Sequence, residues 1–378
     1  MFVTIFKESG TSKLTVSIFF IALTVCLCFL SYKLRLRSED YLCFFDESNT
    51  CKLFSRLELS PSKLKRSRSS PNDSQLKLNE RPIIGILTQT REDAQTNQSG
   101  TPNQADLEVR YVKWVESAGA RVVPVLINQT ELYYDKFYES INGVLIPGGV
   151  QNEHTILRSP IGKVSDYFYQ RSIKEFDQND DYFPIWGTCQ GLELLSQLTA
   201  GKDLLANTFN TTEINLPLVL HKDYRTSRLF SPDNMPSGIL QTLVLKNITA
   251  NRHNWSMTTK NFSSNAQLTK FYRILSTNFD DKGVEFISTM EAYEYPIYAT
   301  QWHPEANQFV WVTSRTVPHS LEAVRASQQM ANFFVNEARK NQHKFESKEE
   351  ESSQLIYNYS PVVLGDVSEG NQIYIFQV

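Results

Sequence analysis

Cys189 lies in Gly187-Thr188-Cys189-Gln190-Gly191, between the strand-like stretch opening at Tyr182 and the helix-like stretch opening at Leu192. A glycine two residues away on each side permits a sharp strand-to-helix turn. Such a turn holds a nucleophile out at the carboxyl end of a sheet, with cysteine here in the place of serine. The amino end of the following helix favours thiolate over thiol. A thiol nucleophile also needs a base and an oxyanion site. Gln301-Trp302-His303-Pro304-Glu305 offers the base: a bend at Pro304 brings the Glu305 carboxylate to the His303 imidazole, fixing its tautomer and stabilising the imidazolium when it takes the thiol proton. Leu145-Ile146-Pro147-Gly148-Gly149 offers the oxyanion site, a strand-end turn whose Gly149 N–H would act with that of Gln190. Each part alone has a bland reading: a buried inert thiol, a surface loop, a plain turn. Three parts at three successive sheet ends are far more specific than any one.

The elements that must position them follow from the chain around them. Its 378 residues fit one large or two ordinary domains, and 41% hydrophobic with 21% charged residues excludes wholesale disorder. A net charge of -3 gives no reason to expect a nucleic-acid partner. Residues 1–80 carry 12 basic and 8 acidic residues against 26 and 33 in the remainder, which marks them as a separate region. Within it, Leu14–Leu30 is an uncharged, mostly apolar run of 17 residues, long enough to span a bilayer, with basic residues on both sides. No small-residue cleavage site ends it cleanly, which favours an uncleaved signal anchor over a cleaved signal peptide. Residues 31–80 read as a linker, with Lys63-Leu64-Lys65-Arg66 as either a solvated basic stretch or a processing site. Asn-x-Ser/Thr sequons at Asn72, Asn97, Asn128, Asn210, Asn247, Asn254, Asn261 and Asn358 exceed chance modestly and point to the secretory pathway. In an oxidising lumen Cys43 and Cys51 could close a small disulfide loop, leaving Cys189 as the one cysteine of the last 298 residues.

From residue 81 onward, strands and helices alternate. Strand-like runs at Pro82–Gln89, Arg121–Ile127, Ile141–Gly149 and Tyr182–Gly191 are separated by helical spacing at Leu107–Gly119, Ile161–Phe176 and Leu192–Gly201. That alternation implies an α/β fold, a mostly parallel central sheet with helices on both faces. Residues 203–275 read as a mixed sheet extension, with strand-like runs at Thr242–Asn247, Phe271–Asn278 and Val284–Pro304. Ser320–Lys340 is a long helix, and Ile356–Val378 ends in two β-prone runs that suit an edge hairpin.

In that order, P-G-G, G-x-C-x-G and Q-W-H-P-E resemble the class I glutamine amidotransferase fold. The stretches RPIIGILTQ, INGVLIPGG, DYFPIWGTCQGLE, ANRHNWSM and ATQWHPE resemble the γ-glutamyl hydrolases (folate-polyglutamate hydrolases) within it. The likeness covers residues 81–378, including a C-terminal extension that simple amidotransferase domains lack. It implies that Cys189 attacks the γ-glutamyl amide carbonyl of folate polyglutamates, that His303 acts as base and then acid with Glu305 behind it, and that a thioester forms and is hydrolysed. It implies no cofactor and no metal. It implies a substrate-side role for His253, which the residues alone would leave at the surface. It allows a homodimer, with the catalytic region lumenal, lysosomal, vacuolar or extracellular, and membrane-anchored if Leu14–Leu30 is retained. His154, His221, His319 and His343 read as structural or surface residues. Two departures stand out. Asp106-Leu107-Glu108-Val109-Arg110 puts charge where the family reads close to Y-I-A-A-S, and Gln190 replaces an apolar residue, where only its backbone N–H is needed. The sequon at Asn254 is expected to be unmodified, because a glycan there would crowd the cleft.

Two other readings compete. A glutaminase would need a synthetase partner, for which neither terminus has room. A non-catalytic, membrane-tethered binding protein on a decayed hydrolase fold is motivated by the 106–110 stretch and opposed by the intact Cys189, His303 and Glu305.

Overall fold

The computed structural model describes residues 77–90, 103–149, 154–208, 210–222, 224–311, 316–364 and 372–378, together with the backbone of 41–45 and 51–55. The apolar run Leu14–Leu30, the basic Lys63–Arg66 and the sequons at Asn72 and Asn97 lie outside the described residues. The chain divides into two units, Met1–Ser67 and Arg68–Val378. In the first, β1 (Tyr41–Phe45) and β2 (Cys51–Ser55) pair antiparallel, with Cys43 opposite Leu53 and Cys51 opposite Phe45 along the backbone. The side chains that a disulfide would need lie outside the description.

The second unit opens with β3 (Ile83–Leu87), β4 (Gln89–Thr90) and β5 (Gln104–Glu108), then α1 (Val109–Ser117), β6 (Arg121–Val125), α2 (Glu131–Ser140) and β7 (Val144–Ile146). It continues through α3 (Pro160–Asn179), β8 (Ile185–Thr188) and α4 (Gln190–Ala200). Short strands β9 (Ala206–Asn207), β10 (Ile214–Leu216) and β11 (Val219–Leu220) lead to α5 (Ser237–Leu245), β12 (Thr249–Asn251) and β13 (Trp255–Ser256). Then come α6 (Thr259–Ser263), α7 (Ala266–Phe271), β14 (Tyr272–Phe279), β15 (Glu285–Ala292), β16 (Ile297–Thr300), α8 (Ala306–Phe309), α9 (Leu321–Ala338), α10 (Lys348–Gln354), β17 (Val362–Val363) and β18 (Gln372–Gln377).

The main sheet has eight strands in the order β11-β14-β15-β16-β8-β7-β3-β6. From β16 to β6 every pairing is parallel, and β11, β14 and β15 extend it antiparallel. This is the mixed α/β sheet expected from the alternating pattern. The parallel strands are buried on both faces, and successive side chains feed two cores. Ile83, Val144, Ile146 and Ile185 point to the core covered by α2, α3 and α4, with Phe137, Phe168 and Leu195. Ile84, Leu145 and Trp186 point to the opposite core, with Val112 of α1, Leu243 of α5 and Phe334 of α9. The Trp114 indole N–H donates to the Ser327 carbonyl at 3.1 Å and locks α1 to α9.

Two expected elements differ. Leu107 and Glu108, read as the start of a helix, belong to a strand whose residues alternate half-buried and buried. The reason is non-local: β5 pairs antiparallel with β18 at the far end of the chain, in a second sheet ordered β17-β18-β5-β4. The terminal runs do form the hairpin β17–β18, but β18 is an inner strand of that sheet rather than an edge. Thr242–Leu245, read as a strand, is helical within α5. Read together with Ile239 and Leu240, Leu243 completes a helical apolar spacing that packs on the second core.

Phe376 of β18 is buried opposite Ala105, with its ring edge-on to Tyr359 at 4.9 Å. Phe376→Ala is expected to cost about 3 kcal/mol by leaving a cavity, and to loosen β5 where it enters α1. Denaturant unfolding checks this: an unchanged midpoint would mean that the C-terminal strand lies outside the cooperative unit.

Candidate active site

β7, β8 and β16 are neighbours in the sheet, with Ile146 level with Gly187 and Thr188 level with Thr300. Their carboxyl ends therefore bring the Pro147-Gly148-Gly149 turn, Cys189 and the His303–Glu305 segment to one place. It adjoins the point where the chain, having gone from β3 out to β6, returns to β7 on the other side of β3, the usual position of a ligand crevice in such sheets. Cys189 sits at the strand-to-helix turn with φ 52° and ψ −107°, a conformation that non-glycine residues rarely adopt. Its N–H donates to the Thr300 carbonyl at 2.7 Å, and its own carbonyl accepts from Leu192 and Glu193 at the head of α4. The turn needs Gly191 for close approach, because a Cβ there would stand 2.4 Å from the Ile146 carbonyl oxygen.

Gly148 stands at the centre of the site. A Cβ on it would lie 2.7 Å from His303 Cε1, 2.8 Å from Tyr111 Oη and 3.2 Å from Cys189 Cβ, so these three side chains surround one point. The turn is clamped on both sides: Gly148 N–H donates to Tyr111 Oη at 2.9 Å and its carbonyl accepts from Gln89 Nε2 at 2.7 Å. Gly149 packs between the side chains of Gln89 and Gln190. Gln190 is the first residue of α4, where a backbone N–H has no partner within the helix.

His303 Nδ1 is 2.7 Å from Glu305 Oε1 and 3.5 Å from Tyr111 Oη. The backbone N–H of His303 donates to the Ala250 carbonyl at 2.9 Å. Glu305 is buried, and burial works against its charge. The His303 ring, its hydrogen bond and the Arg110 guanidinium outweigh that penalty and hold the carboxyl below the usual carboxylate range. With Nδ1 engaged by the carboxylate, Nε2 is the nitrogen left for proton transfer. Cys189 Sγ donates to the Arg252 carbonyl at 3.7 Å and has Gln301 Nε2 at 3.9 Å; Gln301 Nε2 also donates to Glu193 Oε1 at 2.9 Å.

His253 is buried next to this group rather than open to solvent. Its Nδ1 is 2.9 Å from Ser256 Oγ and its Nε2 3.2 Å from Asn251 Oδ1, and the ring meets Phe286 edge-on. The neighbouring sequon residue Asn254 is exposed. The other four histidines stand elsewhere: His154 pairs with Asp203, His343 with Asp181, His319 stacks on Trp311, and the His221 backbone N–H donates to the Leu275 carbonyl. Among the described residues no group of three or more His, Cys, Asp or Glu side chains is placed to hold a metal ion. No motif singles out Tyr111, Gln89 or Glu193; Gln301 stands in the sequence only as the first residue of Q-W-H-P-E, and Arg110 only as a charge out of place. Glu193 carries the one local signal, standing one helical turn past Cys189. Tyr111 reaches His303 across 192 residues of chain, which no local pattern encodes.

Burial, and then the charge of His303, push the His253 imidazole down to about 3. The unfolded chain therefore binds a proton at His253 below about pH 6.5 that the folded chain refuses, and stability falls as pH drops from about 6.5 towards 3. His253→Gln is expected to remove this contribution, roughly 1.4 kcal/mol for each pH unit within that window. Unfolding midpoints at pH 4.5 and 7 check it: parallel losses in wild type and variant would show that His253 titrates normally in the folded protein.

The model of the Peptidase C26 family matches residues 82–305, which end on Glu305. The chain is 45% identical over 296 residues to the γ-glutamyl hydrolase of Rattus norvegicus and to that of Homo sapiens, in each case covering 78% of this chain and 90% of the relative. Among solved structures, a glutamine amidotransferase from Thermotoga maritima is 10% identical with a TM-score of 0.35, covering 70% of this chain and 99% of that chain, a likeness too low to add to the strand order. The family match and the identity to the two mammalian hydrolases place the chain in the peptidase C26 family.

Proposed function

We propose that this chain hydrolyses γ-glutamyl amide bonds, with folate poly-γ-glutamates as the substrate class and Cys189 as nucleophile. The observation that carries the reading is the strained Cys189 turn facing the His303–Glu305 pair across Gly148. The names and coverage of the relatives support the bond type. His303 Nε2 takes the Sγ proton, and the thiolate attacks the γ-carbonyl carbon. The oxyanion faces the N–H groups of Gly149 and Gln190. His303 returns the proton to the leaving amine nitrogen, which leaves as the C–N bond breaks and a thioester remains. Water, deprotonated by His303, attacks the thioester carbonyl, and Sγ departs and is reprotonated. Glu305 stays ionised throughout, fixing the ring and stabilising the imidazolium.

His253 follows Arg252, whose carbonyl accepts from Cys189 Sγ, and lies within reach of the His303 charge, and we assign it to the substrate side of the site. We read Leu14–Leu30 as an anchor or signal peptide that takes the catalytic unit into the secretory lumen. The exposed sequons at Asn128, Asn210, Asn247 and Asn358 support a lumenal setting.

The test is glutamate release from folate di- and pentaglutamate at acidic pH by the full chain. Cys189→Ala is expected to abolish release, and Glu305→Gln to lower kcat about 100-fold or more by freeing the imidazole. Cleavage by the Cys189→Ala protein at the wild-type rate would rule out this chemistry. An inert wild type that still binds the substrate would make the chain a binding protein on a hydrolase fold. Separately, Gly148→Ala is expected to lower kcat about 100-fold by displacing His303 from Cys189, at an overpacking cost of about 1–3 kcal/mol in stability. Unimpaired turnover in that variant would mean that the closeness of the two side chains at Gly148 is not used in the reaction.

A further inference from the structure

Arg110 is a charged side chain enclosed in the protein, 5% exposed, on the first turn of α1. Its Nε is 3.4 Å from Glu305 Oε1, the same oxygen that lies 2.7 Å from His303 Nδ1. Its Nη2 donates to Glu108 Oε1 at 2.8 Å and lies 3.5 Å from Tyr111 Oη. One guanidinium thus bridges a carboxylate on β5 and the carboxylate behind His303. The 106–110 stretch, which departs from the family pattern in charge, turns out to address the acid–base pair directly. We propose that Arg110 is a positioning residue of this site: it keeps the Glu305 carboxylate ionised and seated against His303, and so sets the lower pH limit of Cys189 reactivity. The proposal rests on the reading of Cys189 and His303 as nucleophile and base.

The charged and titratable groups around it fix the sign. Glu108 faces Arg110 from β5, Tyr111 from α1 and Glu305 from the segment after β16; next to these, His303 pairs with Glu305, Cys189 acts on Tyr111 from the head of α4, and His253 faces His303 from the loop after β12. Burial and the Glu305 charge keep the Tyr111 phenol protonated, so it contributes no charge of its own. A cation beside Glu305 favours its ionised form and favours thiolate at Cys189. Glu108, on the far side, opposes both effects by drawing on the same guanidinium. Removing Arg110 must therefore move the acidic limb of reactivity to higher pH, and removing the charge of Glu108 must move it the other way.

The experiment is alkylation of the full chain by iodoacetamide across pH 3–9, read by mass spectrometry of the peptide carrying Cys189. It needs no substrate. Arg110→Met is expected to raise the acidic limb by about one pH unit, Arg110→Lys to restore most of the wild-type profile, and Glu108→Gln to lower the limb by a smaller amount. An Arg110→Met protein whose rate drops equally at every pH, with the limb in place, would overturn the proposal and leave Arg110 a packing residue. If Arg110→Met does not fold, an unshifted limb in Glu108→Gln would overturn it equally. A wild-type Cys189 that alkylates like an ordinary thiol, only near pH 8.5, would instead overturn the reading of Cys189 as an activated nucleophile, so the two failures are distinguishable.

Discussion

A carboxylate buried beneath a histidine must have its charge answered inside the protein, and at Glu305 that requirement organises the site. Burial alone would drive a proton onto the group and release the imidazole. His303 at 2.7 Å and Arg110 at 3.4 Å supply the opposite sign on the same oxygen. Arg110 is itself buried and answered in turn by Glu108. The chain of charges runs Glu108, Arg110, Glu305, His303, from a strand of the small second sheet to the imidazole beside the Gly148 turn. Removing Arg110 would leave Glu305 with His303 as its one close counter-charge, in a place where water cannot make up the loss.

The sheet order makes this arrangement available. Three adjacent parallel strands end at the same level, so a glycine turn, a nucleophile turn and a histidine turn meet without any long side chain having to reach. The cost is concentrated at Cys189, whose backbone is held at positive φ by its bond to Thr300 and by the start of α4. Tyr111 then joins the two halves of the site, accepting from the Gly148 N–H while its oxygen lies beside His303. The C-terminal strand β18 contributes from a distance: it pairs along the whole of β5, the strand that feeds directly into Arg110 and Tyr111. The chain beyond residue 305, where the family match ends, therefore supports the strand that leads into Arg110 and Tyr111.

Much of this was legible in the chain. Alternating strands and helices gave the α/β class because apolar runs of period two and amphipathic runs of period near four are local signals. The nucleophile turn was legible because glycines at fixed offsets are needed wherever backbones approach as closely as Gly191 and Ile146 do. The errors have two causes, one distant and one local. Leu107–Glu108 looked helical because its strand partner is more than 260 residues away, and Thr242–Leu245 looked extended until the residues before it supplied the helical spacing. His253 shows the same limit: a polar residue in a polar segment is buried here because Phe286, Ser256 and Asn251 enclose it.

By itself the sequence determined the residue types that can carry acyl transfer, their order along the chain and the class of fold that could unite them, since each of these depends on neighbours within a few residues. The tertiary structure alone decided that Tyr111 reaches His303, that Tyr111 and Gln89 clamp the Gly148 turn, and that the charge at Arg110 faces Glu305. Those facts depend on distances between segments separated by roughly 60 to 190 residues, and such distances are set by strand register and packing, which no local pattern of residues records.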